Sequence, residues 1–239
     1  MVATVSSMHR FPVKSMLGED LQECVIDDKG LVGDRAYAVF DTEDGCVASA
    51  KSPRKWASLL SMSARFVAEP LLGEVPPPVE IAFPDGSVLR SDDDGIDDAL
   101  SATLGRSVRL ISERLDEPRY ELAPGALDDM APQAVLDYLA NDRAQSPSRL
   151  ALAGMPAGTF YDLAMLHVLT TSTMDTLHQL APEADVDVRR FRPNLLLQTS
   201  DTGFAEDEWV GRTIAVGETM QFSVSMLTMR CVMTSLAQG

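Results

Sequence analysis

Cysteine is scarce in this chain: Cys24, Cys46 and Cys231 are all it has, an odd number with no CxxC pair among them. Over 239 residues, that usage excludes a disulfide framework and a four-thiolate cluster. It fits a reducing cytoplasm. Histidine is as rare: His9, His167 and His178 lie far apart, without the spacing of a metal motif, so each is expected to play an ordinary structural role. Aromatic residues make up only 6%, so Val, Leu, Ile and Met must fill most of the core that a hydrophobic fraction of 45% makes feasible. No apolar stretch reaches the roughly 20 residues of a membrane span. Met1–Arg10 is too short and mixed for a signal segment. GxGxxG, the Walker A loop and the GxSxG elbow are absent, which removes the common nucleotide-binding and hydrolase readings.

Positive charge is also short. Lys and Arg number 20 against 36 Asp and Glu, a formal net charge of −16. Such a surface repels phosphate backbones at long range, so nucleic acid is not an expected partner. A small anionic ligand would need a local basic site, and this makes individual Arg and Lys positions informative.

The first half reads as β-structure. Strands are expected over Thr4–Phe11, Leu21–Ile26, Ala36–Phe40, Cys46–Ala50, Arg65–Ala68, Val79–Phe83 and Val88–Arg90. Turn signals separate them at Asp27–Gly30, Asp41–Gly45 and Phe83–Ser87. Many short strands at this spacing predict a barrel or sandwich. Helices are fewer: Asp92–Leu104, with acidic residues in its first turn and Gly105 after it, Gln133–Leu139, and the segment Gly154–Leu180. In the last, Ser172 stands three residues before Asp175, like a capping box. Pro70–Pro78, Asp116–Asp129 and Ala140–Pro147 read as loops, and the chain divides into residues 1–115 and 116–239.

Chemistry concentrates in a few segments. They are Phe11-Pro12-Val13-Lys14-Ser15, Gly30 to Arg35, Thr170-Thr171-Ser172-Thr173, Arg192-Pro193-Asn194, Phe204 to Trp209, and Arg230-Cys231. A helix N-terminus with hydroxyls suits phosphate. Arg35 and Arg192 can fork onto phosphate or a heterocycle, and Lys14 can act as a point charge. Asn194 both donates and accepts, which suits the edge of a heterocycle. Arg230 beside Cys231 would favour a thiolate, a soft metal ligand. Each has a plainer reading. Cys231 fits as a small core residue and Thr170–Ser172 as a helix cap. Asp34-Arg35 fits as a structural ion pair, Arg189–Arg192 as partners of Asp185 or Asp187, and Trp209 as packing. Cys24 and Cys46 fit as core or inert surface thiols. The residues alone reach a β-rich protein with an anion site.

In this order, the segments FPVKS, GLVGDR, RFRPN, FAEDEW and RC resemble the MOSC family over nearly the whole chain. They are closest to its two-part members, in which a β-barrel-like N-terminal domain precedes the MOSC domain. These include the bacterial YcbX-type proteins and the mitochondrial amidoxime reducing component. The resemblance implies a mainly β fold with some helices (α+β), a MOSC-type β-barrel behind a smaller β-barrel-like domain. It implies the molybdenum cofactor, a molybdopterin dithiolene carrying a phosphate. By it, Cys231 matches the thiolate that ligates molybdenum and serves catalysis. Lys14, Arg35, Thr170, Thr171, Ser172, Thr173, Arg192, Pro193, Asn194 and Arg230 match the cofactor's surroundings. Asp207 matches the acidic residue of the FxED motif, in a structural or supporting role. Met229 stands where relatives often carry a small hydroxyl residue. Against those relatives the chain reads as lacking the usual C-terminal strands.

The resemblance also implies an oxidoreductase that reduces N-hydroxylated, N–O compounds. A separate flavin or iron–sulfur protein would deliver electrons, because three cysteines cannot supply both a cluster and the metal ligand. Two other functions fit the same segments. One is a sulfur carrier or cofactor-sulfurating module with a persulfide on Cys231. The other is a non-catalytic module that binds the pterin cofactor.

Overall fold

The structure is a computed structural model and describes residues 3–112, 119–121, 149–151, 158–162, 164–216, 220–228 and 230–239. Its strands, in chain order, are β1 (Thr4–Arg10), β2 (Glu19–Leu21), β3 (Ile26–Asp27), β4 (Gly30–Leu31), β5 (Ala38–Asp41), β6 (Cys46–Val47), β7 (Ser63–Phe66) and β8 (Val79–Ala82). Then follow β9 (Val88–Arg90), β10 (Val108–Ile111), β11 (Arg119–Glu121), β12 (Arg149–Ala151), β13 (Val168–Thr170), β14 (Leu195–Gln198), β15 (Thr213–Val216) and β16 (Met220–Ser223). The longest helices among the described residues are Ile96–Leu104 and Thr171–Leu180. The protein is mainly β with some helices.

Two strand groups hold most strands of the first half. One is β7-β8-β9, and the other is β10-β5-β6-β11-β12. Alternation explains β7 and β8: Ala64 and Phe66, and opposite them Val79 and Ile81, turn inward. These close on a core of Val13, Met16, Val39, Trp56, Leu59 and Leu100, with methionine and leucine making up for the few aromatics. The helix Ile96–Leu104 buries Ile96 and Leu100 against it. It ends at Gly105, whose φ of 66° is a left-handed cap that glycine adopts without strain.

Besides the two-stranded pairs β3-β4 and β15-β16, a four-stranded sheet joins the first strand to strands far along the chain. Its order is β13-β14-β1-β2. β1 runs antiparallel to β14, with Thr4 opposite Gln198 and Met8 opposite Leu195. β13 runs parallel to β14. Leu195 and Leu197 are buried with Trp209, against Val5 and Met8 of β1. The first strand of the chain is thus completed by residues almost 200 positions later. Residues 230–239 pack back onto the first half: Met233 lies against Ala50 and Leu60, and the Gly239 amide donates to the Leu60 carbonyl at 3.2 Å.

Several sequence expectations change. Among the described residues of Gly154–Leu180, only Thr171–Leu180 is helical. Val168–Thr170, rich in β-branched side chains, pairs with β14 as a strand, and the helix starts at Thr171. Its cap is Thr170, not Ser172: the Thr170 side chain accepts from the Thr173 amide. Leu21–Ile26 splits into β2 and β3, and Asp92–Leu104 begins only at Ile96. Pro53–Trp56, β10, β14, β15 and β16 were not anticipated. Asp116–Asp129, expected as a loop, contains strand β11 (Arg119–Glu121), which pairs with β6 and β12; its other residues, the helix expected at Gln133–Leu139, the loop Ala140–Pro147, the division at 115 and 116, and Met229 lie outside the described residues.

Candidate functional site

Two segments are zipped together first. After β1 the chain turns at Phe11, and after β4 it turns back at Asp34-Arg35. The Arg35 amide donates to the Phe11 carbonyl (2.8 Å), the Tyr37 amide to the Pro12 carbonyl (2.9 Å), and the Lys14 amide to the Tyr37 carbonyl (2.9 Å). Glycine makes the second turn possible. Gly33 has φ 83°, and a Cβ there would lie 2.8 Å from the Phe66 ring. Asp34, 1% exposed, accepts from the Phe11 amide at 2.8 Å and from the Arg35 guanidinium. The Asp34-Arg35 ion pair therefore exists, and it holds Arg35 against the Phe11 ring, 4.6 Å from its centroid.

Arg192 comes to the same ring from the far end of the chain, 4.1 Å from the centroid. It sits in a left-handed turn (φ 55°) that ends the short helix Val188–Phe191, and it donates to the Met16 carbonyl. It is buried, and among the described residues it has no carboxylate at ion-pair distance. Burial first, then the Arg35 charge, press its guanidinium down to about 9, although Asp34, Asp162 and Cys231 oppose the shift. A guanidinium remains protonated at neutral pH even so. The result is a desolvated cation that lacks a counter-ion of its own among the described residues.

Lys14 adds a second buried cation. Its ammonium donates to the Phe160 carbonyl at 3.0 Å and to Asp162, which Lys51 also reaches at 3.2 Å. Burial, mainly, lowers Lys14 to about 8, with Asp162 opposing and Lys51 and Arg35 assisting. Burial alone would raise the Asp162 carboxyl, but the two lysines hold it well below the usual carboxylate range.

Cys231 joins this group through packing. It is half-buried against Ala50, Leu60 and Met233, and the Ala50 amide donates to Ser15 Oγ at 3.1 Å, next to Lys14. Its charge would act on Arg192 and on Arg230, which is exposed and lies 5.1 Å from the Phe191 ring. Arg190 holds this segment by donating to the Leu236 carbonyl at 2.8 Å.

The hydroxyl segment is organised differently. Glu206, from the 3-10 turn Ala205–Trp209, accepts from Thr170 Oγ1 (2.6 Å), Thr173 Oγ1 (2.7 Å) and the Thr170 amide (3.4 Å). Ser172 Oγ lies 2.9 Å from Thr170 Oγ1, while Thr171 opens the helix half-buried. A carboxylate of the protein thus occupies the helix N-terminus that the sequence offered to a phosphate. Asn194 is engaged as well. Its Oδ1 accepts from the His167 amide at 3.0 Å, and its Nδ2 donates to the His9 carbonyl at 3.3 Å. Pro193, between Arg192 and Asn194, is buried.

The geometry therefore gathers Lys14, Arg35, Arg192 and Cys231, with Arg230 at the edge. It turns Thr170, Thr173 and Asn194 toward the protein itself. Sequence reasoning missed Lys51, Phe160 and Asp162, and it chose Asp207 where Glu206 makes the contacts. FAEDEW was the signal for Glu206. It also set aside His167, whose Nε2 is buried without a hydrogen-bond partner among the described residues.

Residues 2–64 match the MOSC N-terminal beta barrel domain, and residues 157–239 match the MOSC domain. The chain belongs to the MOSC family. No curated protein matches it. MOSC domains are associated with molybdenum-cofactor binding and sulfurase-like function. The residues of this MOSC protein fit such a group. Among the described residues, no three His, Cys, Asp or Glu side chains could hold a metal by themselves. A metal at Cys231 would take its other ligands from the cofactor, as a dithiolene provides. Arg192 suits the anionic end, and the orphaned His167 nitrogen suits a polar heterocycle.

Proposed function

We propose that the protein binds the molybdenum cofactor and reduces N-hydroxylated compounds. Arg192 carries this reading: a buried cation without a carboxylate partner among the described residues, beside Arg35 and within electrostatic reach of Cys231. Arg192 and Arg35 would hold the cofactor's anionic groups against Phe11, with Lys14 as a further charge that keeps its proton at neutral pH. Cys231 would be the protein ligand to molybdenum. When bound, the cofactor supplies a two-electron couple able to remove oxygen from an N–O group. The chain's own part is to bind, orient and neutralise. Electrons would come from a separate flavin or iron–sulfur protein.

The test is metal and pterin analysis of protein made in a cofactor-competent host. Wild type should carry stoichiometric molybdenum and pterin. Cys231→Ala should lose molybdenum and N–O reduction while keeping its fold, and Arg192→Met should lose pterin too. Reduction that survives in Cys231→Ala sinks the mechanism. The accessible thiol beside two arginines also favours a second reading, a sulfur carrier. An extra sulfur atom on Cys231 by mass spectrometry, without metal, would select it.

A further inference from the structure

His167 is fixed more firmly than a residue that merely fills space. Its amide donates to Asn194 Oδ1 (3.0 Å), and its carbonyl accepts from the amides of Asn194 (2.7 Å) and Leu195 (3.2 Å). These bonds anchor its backbone where β13 begins. Its ring lies by the backbone carbonyls of Phe191 and Arg192, within the field of Arg35 and Arg230. Nε2 is buried and has no hydrogen-bond partner among the described residues. Buried polar atoms are nearly always paired, so an orphaned ring nitrogen within the field of two site arginines calls for an explanation.

Charge narrows the explanation. Burial, then Arg230 and Arg35, lower this imidazole to about 3, so it is neutral at physiological pH. A neutral ring adds no attraction for an anion. It offers a directional hydrogen bond. The Phe191 and Arg192 carbonyls favour a protonated nitrogen facing them, which leaves the other nitrogen as an acceptor.

We propose that His167 contacts the bound ligand, with Nε2 accepting a hydrogen bond from an uncharged N–H or O–H group. This rests on the cofactor reading and sharpens it: the site takes a ligand that is anionic where Arg35 and Arg192 stand and a neutral donor where His167 stands. A phosphate-bearing aminopterin has both. Inorganic phosphate has no neutral heterocyclic N–H, so it engages the arginines alone.

Three histidines in the chain make the test direct. The imidazole nitrogens are followed by 15N NMR in cofactor-free and cofactor-loaded protein, with His167→Phe assigning the signal. The unprotonated nitrogen of His167 should shift on loading, while His9 and His178 stay unchanged, and inorganic phosphate should leave it in place. His167→Phe should retain pterin about tenfold less well, the effect of one lost hydrogen bond, and His167→Gln should recover part of it. If the signal does not move and His167→Phe keeps pterin as wild type does, this role is overturned while the cofactor reading stands. If wild type itself holds no pterin, the cofactor reading fails and takes this role with it. Should His167→Phe not fold, His167→Gln assigns the signal and the wild-type shift decides.

Discussion

At the scale of single residues, the site is defined by charges that are buried before a ligand arrives. Arg35 is held by Asp34 and Lys14 by Asp162, but among the described residues Arg192 has a backbone carbonyl and the Phe11 ring and no carboxylate. His167 adds a pH dependence whose sign can be worked out. Its folded-state value lies near 3, against an ordinary 6.5. Below pH 6.5 the unfolded chain takes up a proton that the folded chain refuses. The stability tied to the neutral ring is therefore complete above pH 6.5 and drains away as the pH falls toward 3. In urea titrations from pH 7.5 to 5, wild type should lose about 1 to 2 kcal/mol more than His167→Gln. Parallel losses would show that the ring titrates normally.

At the scale of elements, the helix Thr171–Leu180 depends on two outside groups: the Thr170 side chain and the Glu206 carboxylate. A carboxylate at a helix N-terminus is stabilising through the backbone dipole, and it answers hydroxyls that burial would leave unpaired. Thr170→Val and Glu206→Ala should each destabilise the fold by about 1 to 2 kcal/mol. They share one bond, so the double variant should cost clearly less than the sum. Additive losses in thermal or urea unfolding would mean that the two groups act independently.

This element also shows what a sequence discloses. Gly105, the Phe83–Ser87 turn and the alternation in β8 are local signals, and they were legible. Glu206 was not, because its partners are more than 30 positions away and only folding brings them together. Thr170 read as a phosphate contact by analogy, yet its hydroxyl is bound to the protein. Asp162 and Lys51 escaped notice because neither sits in a motif, and their pairing is set by tertiary placement alone. His167 was discounted for lacking a metal spacing, a criterion that does not bear on a hydrogen-bonding role.

At the scale of the whole molecule, the two matched family regions are not separate bodies joined by a strand. β1 belongs to the same sheet as β13 and β14, Arg192 binds the Met16 carbonyl, and Met233 packs on Ala50 and Leu60. Loosening one region removes the partner of the other. Unfolding should therefore follow a single transition, the same by far-UV and near-UV circular dichroism. Two resolved transitions would show that the regions are energetically independent.

The pairing of Thr4 with Gln198 governs the protein's birth as well. The first strand leaves the ribosome long before its neighbour is synthesised. At translation rates of about 5 to 20 residues per second, the delay is roughly 10 to 40 s. Through that interval Val5 and Met8 have no Leu195 or Leu197 to cover them. The nascent chain must keep this edge from aggregating, by collapse or by chaperone capture. Arg192 and Cys231 emerge well after Lys14 and Arg35, so the site can be loaded only once both ends of it have been made.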